Sequence, residues 1–208
     1  MIILSVDTSG PSAGAAVIKE DEVLCEIFLN SGLTHSQTIM PAVEDALSRA
    51  GITPEQVDAF ACVAGPGSFT GVRIGVCAVR GMSHAAGKPC IALDALEVLA
   101  HAAYGFAGIV CPILDARRDQ VYAAAFRTGE TPERILPDEA LALSDLFEKL
   151  PQDRDILFTG EAAPLHKKEI SDRFGAKAKI APSHSLHVRP AAAADLAMRF
   201  GSSRFIRP

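Results

Sequence analysis

With 208 residues, 49% of them hydrophobic, the chain can bury a core sufficient for one large domain or two small ones, and its formal net charge of −5 excludes a protein that holds nucleic acid by its own field. No segment reaches the ~18 consecutive apolar residues of a membrane span, and the opening Ile2-Ile3-Leu4-Ser5-Val6-Asp7 carries no basic n-region or cleavage site, so a cytoplasmic protein with no membrane partner is expected. Cys25, Cys62, Cys77, Cys90 and Cys111 stand singly among apolar neighbours without a C-x-x-C pair; they read as reduced core residues, not as a disulfide or zinc framework.

Alternating strands and helices follow in chain order. Residues 2–6 form an apolar run suited to a buried strand; a turn through Thr8-Ser9-Gly10-Pro11-Ser12 leads to strands over 15–18 and 23–29, making a three-strand meander. Residues 36–50 show helical spacing, with Ile39, Val43 and Leu47 on one stripe and Gly51 placed as a C-cap. A core strand is expected over 59–64.

Next comes Val63-Ala64-Gly65-Pro66-Gly67-Ser68-Phe69-Thr70-Gly71-Val72-Arg73-Ile74-Gly75, in which a strand end, a turn and a helix start are compressed. Gly65 and Gly67 tolerate positive φ, Pro66 fixes φ between them, and Ser68 or Thr70 can cap the helix. Glycine at these four positions also permits close backbone approach. The helix over 72–86 is apolar on nearly every side, which predicts burial all round. Because its own sheet can cover only one side, a second polypeptide is expected on the helix pair. The candidate partner-binding residues are His35, Gln37, Met40, Val43 and Leu47 on the first helix and Arg73, Val76, Val79 and Met82 on the second.

A hinge is expected at Tyr104-Gly105-Phe106-Ala107-Gly108, dividing an N-terminal lobe, residues 1–103, from a smaller lobe, residues 104–208. Strands over 109–115 and 120–126, joined by Asp115-Ala116-Arg117-Arg118-Asp119, repeat the opening strand–turn–strand layout. Helices are expected over 139–150 and, after Pro190, over 191–200, the last packing back on the first lobe. Charge is uneven: residues 1–100 hold five Lys/Arg against eleven Asp/Glu, whereas residues 166–208 hold nine against three. The basic end reads as a solvated surface or as a source of RNA phosphate contacts within an assembly.

Four segments, Ile3-Leu4-Ser5-Val6-Asp7-Thr8-Ser9, His35-Ser36-Gln37, the glycine-rich junction from Gly65 to Gly75, and Asp115-Ala116-Arg117 before Val121-Tyr122, resemble the bacterial TsaB (YeaZ) family of tRNA threonylcarbamoyladenosine biosynthesis proteins. The resemblance is close over residues 1–126 and looser beyond, resting there on length and Gly160. It implies the α/β, two-lobed actin-like ATPase fold (ASKHA, RNase H-like) with duplicated mixed-sheet lobes, the second reduced. It further implies a scaffold that binds and activates TsaD, the threonylcarbamoyl transferase acting beside the anticodon, with TsaE as ATPase partner, a homodimer when the chain is alone, and tRNA reached through the complex.

Catalysis by this chain is not expected. Asp7, Thr8, Ser9, Gly65, Gly67, Asp115, Arg117 and Arg118 are the candidate phosphate-proximal residues, yet the second lobe offers Asp115-Ala116-Arg117 where such ATPases have Asp-x-Gly, and no Gly-Gly adenosine loop follows. No cofactor is expected to bind tightly to this chain alone, although the resemblance leaves room for ATP or ADP at the interface of the complex. No metal is expected: the His-x-x-x-His pair of TsaD and the H-E-x-x-H pattern are absent from the sequence, and His184 and His187 have the wrong spacing. Asp7 reads as a phosphate-loop relic or as a residue that hydrogen-bonds its own turn. Arg73 reads as a partner for a foreign carboxylate or for Asp7 or Asp58. The alternatives in function are an autonomous ATPase or small-molecule kinase of the same fold and, further off, a metallopeptidase.

Overall fold

The computed structural model describes residues 1–206, in which strands β1 (Ile2–Asp7), β2 (Ala13–Lys19) and β3 (Glu22–Leu29) precede helix α1 (His35–Ala50), β4 (Ala59–Val63), helix α2 (Phe69–Ala86) and β5 (Cys90–Leu93). Helix α3 (Ala95–His101), β6 (Ile109–Arg117), β7 (Gln120–Arg127), β8 (Glu133–Ala142), α4 (Leu143–Lys149), β9 (Ile156–Thr159), α5 (Lys167–Phe174), β10 (Ala178–Ile180) and α6 (Pro190–Phe200) follow. Two compact units result, one comprising Met1–Ala95 together with the chain from Val188 onward, the other Leu96–His187. The division therefore lies ahead of the 103/104 boundary read from the sequence, and α6 groups with the first unit.

In the first unit the sheet runs β3-β2-β1-β4-β5, with β1 antiparallel to β2 and parallel to β4. Leu4, Val6, Ala15, Val17 and Phe60 pack with Ile39, Val43 and Leu47 of α1 and Val79 of α2 in one core cluster. Central strand β1 is apolar at successive positions because both its faces are covered, α6 also packing on β1 and β2. Gly51 ends α1 at φ +67, its N–H reaching the Leu47 and Ser48 carbonyls, as the sequence predicted.

Helix α6 is fastened to β3 by one acid. Glu26 accepts hydrogen bonds from the Arg189 guanidinium (Nε at 3.3 Å) and from the Ala191 N–H at 3.0 Å, so a carboxylate sits at the helix start, where the macrodipole favours it. Arg189 also lies over the Phe28 ring, 4.5 Å from its centroid. Glu26→Ala would leave the guanidinium and a helix-end N–H without their acceptor, and it is expected to lower stability by about 2 kcal/mol in chemical denaturation. An unchanged midpoint would show that α6 is held by apolar packing and the Ser5–Pro190 hydrogen bond without Glu26.

The second unit repeats the same topology. Its sheet runs β10-β9-β6-β7-β8, so that β6 holds the place of β1, antiparallel to β7 and parallel to β9. The duplicated layout read from the sequence is present, with shorter helices: α4 and α5 have 7 and 8 residues against 16 and 18 for α1 and α2. Phe147, Phe158 and Phe174 fill the core, the Phe147 and Phe174 rings meeting edge-on at 5.2 Å.

Three readings of the sequence are corrected here. Residues 139–142, expected to begin a helix, end β8 instead, where Leu141 pairs with Val121 and Ala140 with Tyr122. The local composition suits a helix, but β7 needs a neighbour on its outer side, and tertiary pairing overrides propensity. Pro137 is tolerated because β8 is the sheet edge. The second correction concerns α2, which is not buried all round: its buried residues are Gly71, Gly75, Val79 and Ser83, four apart on one stripe, while Arg73, Cys77, Arg80 and His84 are exposed. Small residues make this helix apolar because it approaches its neighbours closely, not because it is enclosed. Cys77, expected in the core, is likewise on the surface.

Candidate functional site

Three of the four glycines of the junction, Gly67, Gly71 and Gly75, approach something, and that something is the chain's own β1–β2 turn. A Cβ on Gly67 would stand 2.2 Å from the Ser9 carbonyl oxygen, one on Gly71 would stand 2.1 Å from the Thr8 carbonyl oxygen, and one on Gly75 would meet Thr8 Oγ1 at 2.5 Å. Gly65 and Gly67 take φ of +113° and +154°. Hydrogen bonds use the contact that the missing side chains allow: the Ser68 N–H donates to the Ser9 carbonyl at 2.7 Å and the Thr8 hydroxyl to the Gly71 carbonyl at 2.7 Å. Of the two candidate caps it is Ser68 that serves, its Oγ accepting from the Gly71 N–H at 3.2 Å.

Inside this lock lies Asp7, 1% exposed. Its Oδ1 accepts from the Ser9 N–H at 2.9 Å and the Ser9 hydroxyl at 2.7 Å, while its buried Oδ2 has no hydrogen-bond partner in the structure. Burial pushes the carboxyl up to about 6, against the Ser9 hydrogen bonds and the charge of His35, which pull it down. The reading of Asp7 as a residue that ties its own turn is realised in this geometry. His35 contributes from the start of α1, its Nε2 lying 2.9 Å from the Gly10 carbonyl oxygen, so the turn, α1 and α2 are joined at one end.

An equivalent turn closes β6 in the second unit. The Arg117 N–H donates to Asp115 Oδ1 at 2.7 Å, as Ser9 does to Asp7, and a Cβ on Gly160, which follows β9 as the junction follows β4, would stand 2.2 Å from the Ile113 carbonyl oxygen. Here the chain passes through three successive residues with positive φ, Arg117, Arg118 and Asp119, and Asp115 is exposed. In both turns the N–H two residues after the aspartate is taken by that aspartate.

Between α1 and α2 runs a groove of about 760 Å³, floored by Val43, Leu47 and Phe60 and flanked by Met40, Ile52 and Met82. Val43, Leu47 and Val79 are buried in the first unit's core; of the other candidate partner residues, Gln37, Met40 and Arg73 are exposed, and His35, Val76 and Met82 half-buried. Arg73 meets neither Asp7 nor Asp58. It stacks on the Phe69 ring at 3.8 Å, and Asp58 instead accepts from the Ile2 N–H. Phe69, 71% exposed, and Leu33, 61% exposed, are surface apolar residues that the helical pattern did not single out, since one precedes the apolar stripe and the other lies in a loop. Among the described residues no helix is long and apolar enough to cross a membrane.

The family model described as "TsaD: tRNA N6-adenosine threonylcarbamoyltransferase" matches residues 23–203. Over 198 residues, 94% of this chain and 86% of the relative, the sequence is 36% identical to the tRNA threonylcarbamoyladenosine biosynthesis protein TsaB of Bacillus subtilis (strain 168). The structure of YeaZ from Pseudomonas aeruginosa superposes with a TM-score of 0.82 at 26% identity, covering 99% of this chain and 95% of that one. Component A of (R)-2-hydroxyglutaryl-CoA dehydratase from Acidaminococcus fermentans, 12% identical, shares the fold at a TM-score of 0.57 over 96% of this chain and 97% of its own.

Proposed function

The chain belongs to the TsaB (YeaZ) family of tRNA threonylcarbamoyladenosine biosynthesis proteins, with the actin-like ATPase fold, and from that premise we propose that it is a non-catalytic subunit that binds and activates a TsaD-like transferase through α1 and α2. The observation that carries this reading is the apolar groove between the two helices, its floor of Val43, Leu47 and Phe60 open beside exposed Met40. A concave apolar surface of this size is a recognition site for a helix-bearing partner. In the isolated chain the same surface pairs two copies. A TsaE-like ATPase, and ATP or ADP, join at the level of the complex, which works in the cytoplasm, and tRNA reaches the chain through that complex.

Support for the absence of catalysis comes from the two aspartate turns. Phosphoryl transfer depends on bare backbone donors around the transferring group. At Ser9 and at Arg117 the relevant N–H is bonded to Asp7 or Asp115, and Gly67 and Gly71 press on the turn, not on open space. Titrating magnesium-ATP into the isolated chain is expected to give no saturable heat; micromolar binding would restore the reading as an autonomous kinase or ATPase.

The docking reading is tested with Met40→Asp. Met40 is 47% exposed at the groove's flank, so a carboxylate there leaves the fold intact but must be desolvated when a partner closes over it. Capture of the TsaD-like protein of the same organism is expected to fall at least about tenfold. Undiminished capture by a folded variant rejects this surface.

A further inference from the structure

The flank of α2 turned toward β5 holds a second cavity, separate from the groove against α1. Its volume is about 380 Å³, at the small end of the range for ligand pockets, and its walls are apolar: Cys62, Val76, Ile91 and Ile206. Ile206 is held there by the sheet edge, its N–H donating to the Cys90 carbonyl at 2.8 Å and its carbonyl accepting from the Cys90 N–H at 2.9 Å. Two side chains one helical turn apart, Arg80 and His84, stand at the rim. Both are exposed, and neither has a hydrogen-bond or ion-pair partner among the described residues. The remaining polar group of α2 at this place is already engaged, the Ser83 hydroxyl donating to the Lys88 carbonyl at 2.6 Å. Burial keeps the Cys62 thiol neutral, so the interior bears no charge.

A largely apolar wall with the unpaired Arg80 guanidinium and the His84 imidazole on one side only has the polarity of a site for a ligand with an apolar tail and one anionic end. We propose that this cavity binds a small amphipathic anion, an aliphatic carboxylate of medium chain length, with Arg80 and His84 receiving the head and Cys62, Val76, Ile91 and Ile206 enclosing the tail. The segment that carries Ile206 is the outer wall of the site and is needed for full affinity. This inference does not use the α1 groove and does not depend on partner docking there.

Octanoate is the probe, titrated into the isolated full chain and followed by amide chemical shifts, with octanol as the uncharged control of equal length. Saturable shifts at Val76, Arg80, His84, Ile91 and Ile206 are expected, with a Kd of about 1 mM or tighter. Octanol is expected to bind about tenfold more weakly, and Arg80→Ala to weaken octanoate about tenfold while Arg80→Lys keeps most of the affinity. Removing residues 205–208 is expected to weaken octanoate severalfold as its wall is lost. The proposal is overturned by an absence of saturable shifts at these amides up to about 10 mM, by shifts confined to residues 40–47 of the α1 groove, by equal affinity for octanol, or by an Arg80→Ala variant that binds octanoate as the parent does.

Discussion

Gly71→Ala is expected to destabilise the first unit by about 3 kcal/mol or more, while Gly81→Ala, in the same helix, is expected to stabilise it by up to about 1 kcal/mol. The two substitutions add the same methyl group to the same helix, and only the surroundings differ. At Gly81 a Cβ meets nothing within 4 Å, so alanine acts through backbone entropy and helix propensity alone. At Gly71 it would stand 2.1 Å from the Thr8 carbonyl oxygen, with the His35 ring and Ser68 Cβ each at 3.3 Å. A backbone carbonyl cannot swing aside as a side chain can. Relief requires the start of α2 to move away from the turn, which breaks the Thr8–Gly71 and Ser68–Ser9 hydrogen bonds and uncovers Asp7.

Urea denaturation of the two variants and the parent reads the effect directly. A Gly71→Ala midpoint within about 0.5 kcal/mol of the parent would mean that the lock is not tight in solution. The displacement also reaches the groove, because α2 forms one of its walls from Met82 to Ala86. Loss of partner capture in Gly71→Ala would therefore accompany loss of stability, whereas Met40→Asp separates the two.

The glycines were visible in the sequence; what they approach was not. Four of them in one strand-to-helix junction announce close backbone contact, but the contacted atoms, the carbonyls of Thr8 and Ser9, come from a turn more than fifty residues earlier in the sequence. Local patterns carried the meander, α1 with its Gly51 cap, and the repeated strand–turn–strand start, because each depends on neighbours in sequence. Elements that depend on distant pairing were missed: β5, β9 and β10 are three or four residues long, too short for a periodic signal, and exist because β4, β6 and β9 need partners. The over-reading of α2 has the same origin. Composition alone cannot distinguish a helix apolar because it is enclosed from one whose glycines and Ser83 let it lie close to its own unit, leaving Arg73, Arg80 and His84 to solvent.

Part of the candidate site was legible for a chemical reason. An aspartate at the end of a central strand, followed by Thr8-Ser9, invites a hydrogen-bonded turn, and the structure places the Ser9 N–H and hydroxyl on Asp7 Oδ1. That the same carboxyl is enclosed, with Oδ2 unmatched, follows from the glycine lock and could not be read from residues 1–12 alone.

That enclosure makes the stability of the chain depend on pH in a direction opposite to the usual carboxylate. The folded-state value of Asp7 is raised to about 6 from 3.8, chiefly by burial, so between those values the folded protein holds a proton that the unfolded chain has released. Stability from this group is accordingly full below pH 3.8, declines as pH rises toward 6, and above 6 is lower by about 3 kcal/mol. Asp7→Asn removes the titration while keeping an oxygen for Ser9; its amide nitrogen takes the unmatched position at a cost that does not vary with pH. Measured by urea denaturation at pH 4 and pH 7.5, the stability of Asp7→Asn relative to the parent is expected to rise by about 2.5 kcal/mol between the two conditions, since at pH 4 the unfolded chain has already released part of the proton. Comparing the two proteins cancels the titration of every group whose charge does not act on Asp7. A difference that stays constant with pH would show that Asp7 is ionised without cost in the folded state, which the buried, unpaired Oδ2 forbids unless water reaches it through a lock looser than the Gly67 and Gly71 contacts describe.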